Sequence, residues 1–243
     1  MNIYGDRGNV LSLQMRARWR GIEVEVKAIG RGAAPAASGF DLLFWGGGQD
    51  RDQALILSDL LQTKAGFIQS ALAAGAVVLA VCGGYQLLGR WYETARGERL
   101  DGLGLLDLYT VRGPQRQIGN VLVDASNLGI EPRTLVGFEN HSGRTYLGPG
   151  LEALGRVLRG FGNNGQDGTE GVRAGSIFGT YLHGSLLPKN PQLADLLIGL
   201  ALGRSGGDAL PRLDDARELD AHAAMVRRLS GRGFRVRGPA AAR

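Results

Sequence analysis

The sequence predicts an α/β fold in which helices cover a mostly parallel sheet. In the first half of the chain, short apolar runs of strand length alternate with helix-forming segments. Two of these runs, Asp41–Trp45 and Ala76–Val81, lead directly into glycine-containing turns, as buried strands do where the chain leaves a sheet. The chain has 243 residues, 44% hydrophobic and 21% charged, which is typical of a globular protein and favours a single domain.

The first half of the chain should form alternating elements. They are a helix over Val10–Arg20, a strand over Ile22–Val26, a strand over Asp41–Trp45, a helix-rich stretch over Arg51–Ala74 that is broken near Lys64, and a strand over Ala76–Val81. Doubly wound sheets generally open with a strand, whereas the first helix here begins close to Met1. We therefore expect a leading strand to be missing from this sequence, or the sheet to be one strand short.

The second half of the chain is richer in strands. Strands are predicted over Leu105–Val111, Ile118–Val123, Leu135–Asn140, Arg156–Gly160 and Ser176–His183, and helices over Pro191–Leu202 and Leu213–Leu229. Residues 1–205 should form the main domain, with residues 206–243 a helix and basic tail belonging to it. The segment Gly160–Gly165 matches a dinucleotide-binding pattern by letter, but a polar turn and a strand follow it instead of a helix, which indicates a hairpin loop.

The composition excludes several classes of protein. A single cysteine rules out an internal disulfide framework, and three scattered histidines provide no metal-ligand spacing. There is no P-loop sequence, and we expect the chain to hold no metal and no cofactor of its own. The sequence also shows no signal peptide and no apolar run long enough to span a membrane, so we expect a cytoplasmic protein. The net charge of +5 is concentrated in the arginine-rich final residues, which are more typical of a solvated terminus than of a nucleic-acid-binding surface.

Cys82 is the strongest candidate for a catalytic residue. It follows the apolar strand Ala76–Val81 and precedes Gly83-Gly84 and a helix-forming stretch, the arrangement of a nucleophile at a sharp strand-to-helix turn. A thiol at a helix amino terminus ionises readily, and the thiolate is the attacking form. The alternative is a buried structural cysteine, and the two glycines that follow make that alternative weaker.

His183 is the best proton partner for Cys82. It closes the apolar segment Ser176–Leu182, so we expect it at the carboxyl edge of the sheet, where Cys82 also lies. His141 lies in a polar, glycine-bounded segment that could line the same pocket, although a hydrogen-bonded turn is favoured. His222 lies within the last helix and is expected to be structural or solvated.

The glycines after the strand Asp41–Trp45 could stabilise negative charge. Backbone N–H groups of Gly47 in this run and of Gly83 beside the nucleophile are candidates for an oxyanion hole, where one donor typically contributes about 2.7 to 4 kcal/mol. A plain flexible turn is the alternative for the glycine run.

Several blocks together resemble one enzyme family. The segments Val81–Gln86, Gly46–Gly48 and Tyr181–Gly184 are similar to those of class I glutamine amidotransferases of the cobyric acid synthase type. Four longer blocks resemble, more narrowly, the glutaminase subunits of lipid II isoglutaminyl synthases: Tyr4–Asn9, Gly46–Arg51, Gly137–Thr145 and Leu182–Asn190. The resemblance extends over nearly the whole chain and implies a flavodoxin-like three-layer sandwich with a mostly parallel central sheet.

The resemblance also implies a mechanism. Cys82 would attack the side-chain amide of glutamine, His183 would protonate the departing ammonia, and water would hydrolyse the glutamyl thioester. Arg116 matches by position the arginine that recruits glutamine, and Gln86 would line the substrate pocket. Ammonia would pass to a Mur-ligase-like partner (MurT) in a heterodimer, and that partner would use ATP and magnesium to amidate D-glutamate in lipid II for peptidoglycan synthesis.

One departure from the family pattern affects the site. Class I amidotransferases usually carry a glutamate two residues after the histidine, where this chain has Ser185. The resemblance implies that the partner supplies an aspartate instead. Two alternatives to the leading interpretation stay open: an amidotransferase subunit serving a corrinoid synthetase, and a non-catalytic binding subunit of the same fold.

Overall fold

The computed structural model describes residues 6–36, 39–183, 185–203 and 210–231. Seven α-helices lie in these ranges: α1 (Arg7–Arg18), α2 (Asp50–Asp59), α3 (Ala65–Ala73), α4 (Gly83–Leu88), α5 (Leu186–Lys189), α6 (Pro191–Ala201) and α7 (Ala216–Ser230). Ten strands lie in them: β1 (Leu42–Trp45), β2 (Val77–Val81), β3 (Trp91–Glu93), β4 (Arg99–Asp101), β5 (Leu108–Asp124), β6 (Thr134–Leu147), β7 (Gly155–Arg159), β8 (Thr169–Glu170), β9 (Val172–Ala174) and β10 (Ile177–Thr180).

The central sheet carries the predicted nucleophile strand. Its order is β1-β2-β10-β9, with β1, β2 and β10 parallel and β9 antiparallel. All five residues of β2 are buried, because neighbouring strands pair with both its edges and side chains cover both its faces. The predicted α/β fold with a mostly parallel central sheet is therefore confirmed.

The second sheet is built on two long strands. β5 and β6 pair antiparallel from Leu108↔Leu147 to Asp124↔Thr134, with a register shift between Arg112 and Gln117. The two predicted strands over Leu105–Val111 and Ile118–Val123 are thus one continuous strand of 17 residues. At Gly113 and Pro114, where no strand was predicted, β6 continues alongside and a bulge absorbs the irregular residues.

The predicted strand over Ile22–Val26 is wrong. These residues have no regular secondary structure, although Ile22 and Val24 do pack against the core as their alternation indicated. Alternation reports which side chains face inward, whereas a strand also needs a hydrogen-bonded neighbour. Within the described ranges, β1 pairs only with β2.

Most other predicted elements agree with the structure within a few residues at their ends, but the predicted strand Leu135–Asn140 stops seven residues short of the end of β6 at Leu147. The predicted break near Lys64 is a π-helical turn over Leu60–Lys64 that joins α2 to α3 without interrupting the helix. Residues 160–168 connect the antiparallel strands β7 and β8, so the hairpin prediction is confirmed. The division at residue 205 stays a prediction, and the tail arginines from Arg232 onward lie outside the described residues.

One close contact brings the nucleophile helix onto the sheet. A Cβ at Gly179 in β10 would lie 2.3 Å from the ring of Tyr85 in α4, so only glycine permits this approach. Tyr85 is fully buried and packs edge-on against Tyr181 with ring centroids 5.3 Å apart.

No helix in the described ranges is long and apolar enough to cross a bilayer.

Candidate active site

Cys82 occupies a strained corner between β2 and α4. Its φ of 51° and ψ of −108° lie in a region that side-chain-bearing residues rarely adopt, and its N–H donates to the carbonyl of Thr180 at 2.8 Å. A Cβ at Gly84 would lie 2.7 Å from the Trp45 carbonyl oxygen, so this glycine lets the turn pack against β1. Cys82 is only 6% exposed but lines a cavity, which places the thiol where a small molecule could reach it.

His183 lies beside Cys82. Strand β10 ends at Thr180, so the predicted strand to His183 is three residues too long, and His183 is held instead by a bridge to Phe138 of β6. Its ring is completely buried, with Nδ1 3.6 Å from Oδ1 of Asp6. Burial opposes a charged imidazole, but hydrogen bonding and charge interactions with Asp6 and Cys82 outweigh burial and raise the pKa of His183 to about 9.

Asp6 is the residue that sequence analysis missed. It sits at the amino end of α1 and is fully buried, and its Oδ2 accepts a hydrogen bond from the Gly47 N–H at 2.5 Å. The one available signal was the block Tyr4–Asn9, which contributed to the family resemblance without suggesting a role for this carboxylate.

Of the two predicted oxyanion donors, Gly83 directly follows the nucleophile in the chain. A Cβ at Gly83 would lie 3.0 Å from the carbonyl oxygen and 3.1 Å from the nitrogen of Gly48, so the glycine loop packs directly on the start of α4. The Gly47 N–H donates to Asp6, so in this structure that predicted donor is already engaged. Gly48, rather than Gly47, lines the cavity. The roles of Gly47 and Gly83 in an oxyanion hole stay predictions.

A cavity of about 580 Å³ opens in front of Cys82. Arg116, on the bulged part of β5, lines this cavity and donates from Nε to Oδ1 of Asn140 at 2.5 Å. Gln86 also lines it, donating from Nε2 to the Tyr181 hydroxyl at 3.0 Å and accepting from Gln53 at 2.8 Å. The structure thus brings both predicted substrate-binding residues to the cavity that holds the nucleophile, and adds Gln53 as a support for Gln86.

His141 is part of the cavity wall. It lies within β6, so the favoured turn is wrong, while the alternative of a pocket-lining residue agrees with the structure. The ring stacks on Tyr181 at 3.6 Å between centroids, and Nδ1 lies 2.9 Å from the Gly143 carbonyl oxygen. Burial lowers the pKa of His141 to about 3, so this imidazole is neutral at physiological pH.

His222 is structural. Its ring nitrogens lie 2.9 Å from the Thr134 hydroxyl and 2.9 Å from the Lys189 carbonyl oxygen, tying α7 to β6 and to the end of α5.

No cluster of three potential metal ligands occurs among the residues that the structure describes.

Glu170 supports the segment that leads to His183. Its Oε1 accepts hydrogen bonds from the Thr180 hydroxyl at 2.6 Å and from the Tyr181 N–H at 2.8 Å. Burial raises the pKa of this fully buried carboxyl from its ordinary value of 4.5 to about 7. Protons are therefore bound more tightly by the folded protein than by the unfolded chain between those two values.

Replacing Glu170 with glutamine should flatten the pH dependence of stability. The stabilisation from the protonated carboxyl is full below pH 4.5 and lost as pH rises to about 7, with a slope of at most about 1.4 kcal/mol per pH unit. Urea unfolding between pH 4.5 and 7.5 measures this slope, with Glu23→Gln at an exposed position as control. An unchanged slope in Glu170→Gln would contradict the assignment.

Comparisons with known proteins agree with the geometry. Residues 1–191 match the model of a family described as the CobB/CobQ-like glutamine amidotransferase domain. The chain is 40% identical to the lipid II isoglutaminyl synthase (glutamine-hydrolyzing) subunit GatD of Staphylococcus aureus, over 94% of this chain and 91% of that protein. It is 39% identical to the subunit of the same name from Streptococcus pneumoniae, over 88% of this chain and 82% of that one.

Similarity to other proteins is more restricted. A probable cobyric acid synthase of Methanothermobacter thermautotrophicus is 36% identical over 65% of this chain, a match that covers 34% of that protein. Among solved structures, a glutamine amidotransferase aligns with a TM-score of 0.55 at 18% identity over 79% of this chain and 93% of that one. PurLQS from Thermotoga maritima aligns with a TM-score of 0.53 at 15% identity, over 90% of this chain and 92% of that one. These two structures support the fold alone.

Proposed function

This chain belongs to the family of CobB/CobQ-like glutamine amidotransferases, and from that premise we propose that it is the glutaminase subunit of a lipid II isoglutaminyl synthase. The observation that carries the proposal is the pairing of Cys82, which lines the cavity, with the buried His183, in a chain that matches such subunits over nearly its full length. Matches to cobyric acid synthases cover only a third of those longer proteins, which favours this function over a corrinoid acceptor.

The proposed reaction is hydrolysis of L-glutamine through a thioester. The sulfur of Cys82 attacks the side-chain carbonyl carbon of glutamine, and the carbon–nitrogen bond breaks as His183 gives its proton to the leaving ammonia. A water molecule then attacks the thioester carbonyl and passes a proton to His183, releasing glutamate and the free thiolate. The raised pKa of His183, about 9, supports the first step because the imidazole carries the proton that ammonia needs.

Arg116 is proposed to hold the α-carboxylate of glutamine. Its guanidinium lines the cavity, and a guanidinium matches a carboxylate in charge and geometry. The hydrogen bond to Asn140 fixes the orientation of the side chain in advance. The amide of Gln86 has a partner at each end, so we assign it the shaping of the pocket beside the reacting amide.

Replacing Arg116 with alanine should raise the KM for glutamine about 10- to 100-fold, because a hydrogen bond to a charged group contributes about 1.5 to 3 kcal/mol. We expect kcat to change much less, since the nucleophile and its proton partner are untouched. Steady-state glutamate release measures both constants. Arg133→Ala is the matched control, because Arg133 has a 65% exposed side chain and does not line the cavity. An unchanged KM in Arg116→Ala would contradict the role.

The ammonia is proposed to serve a partner enzyme. In this proposal a Mur-ligase-like subunit (MurT) forms a heterodimer with the chain in the cytoplasm, binds ATP and magnesium, and activates the α-carboxylate of D-glutamate in the lipid II stem peptide. Ammonia delivered to that activated carboxylate gives D-isoglutamine.

Glutamate release with and without a partner tests the function. We expect slow hydrolysis by the chain alone, faster hydrolysis with a Mur-ligase-like subunit and ATP, and amidated lipid II as the product. Parallel reactions with a corrinoid synthetase and its acid substrate test the second acceptor. Failure of glutamine either to turn over or to protect Cys82 from alkylation, even with a partner present, would favour a non-catalytic binding subunit.

A further inference from the structure

We infer that Gln53 fixes the side-chain amide of Gln86 as a hydrogen-bond donor toward the cavity, which makes Gln53 a positioning residue for the binding of glutamine. This role rests on the proposed function and concerns the same cavity. The two buried amide groups lie on neighbouring helices, Gln53 on the helix after the glycine loop and Gln86 on the helix after Cys82. Together with the backbone of Gly83, they allow the hydrogen bonds to run in one direction only.

Gln53 is a polar residue at a position where an apolar one is expected. It is 1% exposed and is the one buried residue of α2, all ten residues of which lie in the described ranges. A helix normally packs on its neighbours through apolar side chains, and burying an amide costs free energy unless the amide is hydrogen-bonded. A leucine would fill a similar volume without that cost. The amide at position 53 therefore indicates that this contact requires hydrogen bonds.

The carbonyl group of Gly83 decides the direction of these bonds. A carbonyl oxygen can only accept, so the Gln53 atom that lies 3.1 Å from it must be the amide nitrogen Nε2. The same nitrogen lies 2.8 Å from the side chain of Gln86, and the atom that it faces there must be the acceptor Oε1. The other end of the Gln86 amide is therefore the donor Nε2, which bonds the Tyr181 hydroxyl at 3.0 Å.

Three hydroxyl groups continue the chain of hydrogen bonds beyond Gln86. Burial raises the pKa of Tyr181 above its ordinary value of 10, so this hydroxyl keeps its proton at neutral pH. It accepts from Gln86 and is left to donate to the Thr145 hydroxyl at 2.7 Å, which in turn lies 2.7 Å from the Thr110 hydroxyl. All three hydroxyl-bearing residues are completely buried. Their order agrees with a donor at the near end of Gln86.

The nitrogen end of Gln86 lies at the wall of the cavity. Gln86, Gly143 and Cys82 all line this cavity. A Cβ at Gly143 would lie 2.5 Å from Nε2 of Gln86, so only glycine leaves room for the amide at this part of the wall. An amide nitrogen carries two hydrogens, and Tyr181 accepts one of them. The second is left for an acceptor oxygen of a glutamine molecule bound in front of Cys82.

A reversed Gln86 amide would present its oxygen to the cavity instead of its nitrogen. Its nitrogen would then face the nitrogen of Gln53, and neither could accept from the other. Gln53 excludes this orientation because its own nitrogen donates to both Gly83 and Gln86. A donor that is fixed in advance reduces the entropy lost when the substrate binds.

A double-mutant cycle on glutamate release tests the role of Gln53. Gln53→Leu and Gln86→Leu should each lower kcat/KM for glutamine about tenfold, the loss expected for one hydrogen bond to the substrate. The double variant should lose at most about threefold more than Gln86→Leu, because Gln53 acts through Gln86. Gln192→Leu is the matched control and should leave kcat/KM unchanged, since this glutamine also donates to two carbonyl oxygens but does not line the cavity. Losses that multiply to about 100-fold in the double variant would overturn the inference.

Hydrogen exchange of the Gln86 side-chain amide is a second measurement, and it needs no turnover. In the wild-type chain, NMR should show that one of its two hydrogens exchanges at least about tenfold more slowly than the amide of the exposed Gln115, because that hydrogen is bonded to a buried hydroxyl. Loss of the signal in Gln86→Leu assigns it. Gln53→Leu should speed this exchange at least about threefold, whereas Gln192→Leu should leave it unchanged.

The two measurements separate this inference from the proposed function. If the wild-type chain releases no glutamate with any partner but Gln53→Leu speeds the exchange, the function fails and the orientation of Gln86 by Gln53 stands. If the exchange is unchanged in Gln53→Leu, or if this variant keeps the kcat/KM of an active wild-type chain, the inference fails.

A second variant covers the case in which Gln53→Leu does not fold. Gln53→Glu is nearly isosteric, and its carboxylate cannot donate to Gly83 or to Gln86, so the same losses of kcat/KM and of exchange protection are expected. The wild-type chain also decides by itself, since a Gln86 amide that exchanges as fast as that of Gln115 would exclude the buried hydrogen bond.

Discussion

Replacing Cys82 with alanine is expected to abolish glutamate release, with a fall in kcat of at least about 10⁴-fold, as for removal of a nucleophile in a protease. No other cysteine exists in the chain, and the cavity opens directly on this one. The substituted protein should still bind glutamine, because Arg116 and Gln86 are unchanged. Steady-state assays and isothermal titration with glutamine measure the two properties. Glutamate release at the wild-type rate from Cys82→Ala would end the thioester mechanism.

A second substitution at the same position separates chemistry from stability. The φ of 51° at Cys82 suits glycine, so Cys82→Gly should be more stable than Cys82→Ala by about 1 kcal/mol, although both should be inactive. Denaturant unfolding of the two variants gives this difference. Equal stabilities would mean that the corner between β2 and α4 stores no backbone strain.

Replacing His183 with glutamine should lower kcat by about 10²- to 10⁴-fold, the usual contribution of a positioned acid or base. Glutamine can fill part of the space but cannot give a proton to ammonia or receive one from water. The matched control is His222→Gln, because His222 is also a buried histidine but lies on α7, where it joins secondary structure elements. Equal activity losses in the two variants would indicate a general effect of buried histidines and not catalysis.

His183→Gln should also change how the stability of the fold depends on pH. The pKa of His183 is raised from 6.5 to about 9, so its charged form stabilises the fold fully below pH 6.5 and the effect is lost as pH rises through 9. His183→Gln should therefore destabilise the protein more at pH 6 than at pH 10. Urea unfolding at these two pH values checks the sign, and a greater loss at pH 10 would contradict the charged assignment.

The spacing of apolar residues along the sequence was sufficient to predict the strands at the centre of the core. The apolar runs now seen as β1 and β2 were predicted from their length and from the glycines that follow them, because a buried strand must be apolar on both faces. The same spacing did not predict the structure where hydrogen-bond pairing with a neighbouring strand determines whether a segment is a strand. Ile22–Val26 alternates like a strand without pairing as one, and β5 continues across Gly113 and Pro114 because β6 lies alongside.

The site was predicted in part for a similar reason. Cys82 and His183 stand next to recognisable strands and turns, so their residue types and positions identified them. Asp6 has no such context, since its importance depends on a contact with His183 that lies 177 positions away along the chain. His141 was assigned to a turn because its polar neighbours hide a strand that only the pairing with β5 reveals.

The sequence alone determined that this chain forms a helix-covered sheet with a cysteine at a strand-to-helix corner, because hydrophobic spacing and glycine placement are local properties. Tertiary structure decided which carboxylate faces the histidine, which glycine N–H is already engaged, and how the bulge of β5 brings Arg116 to the cavity. Those features depend on distances between residues far apart in the chain, and packing fixes such distances only once the whole core has formed.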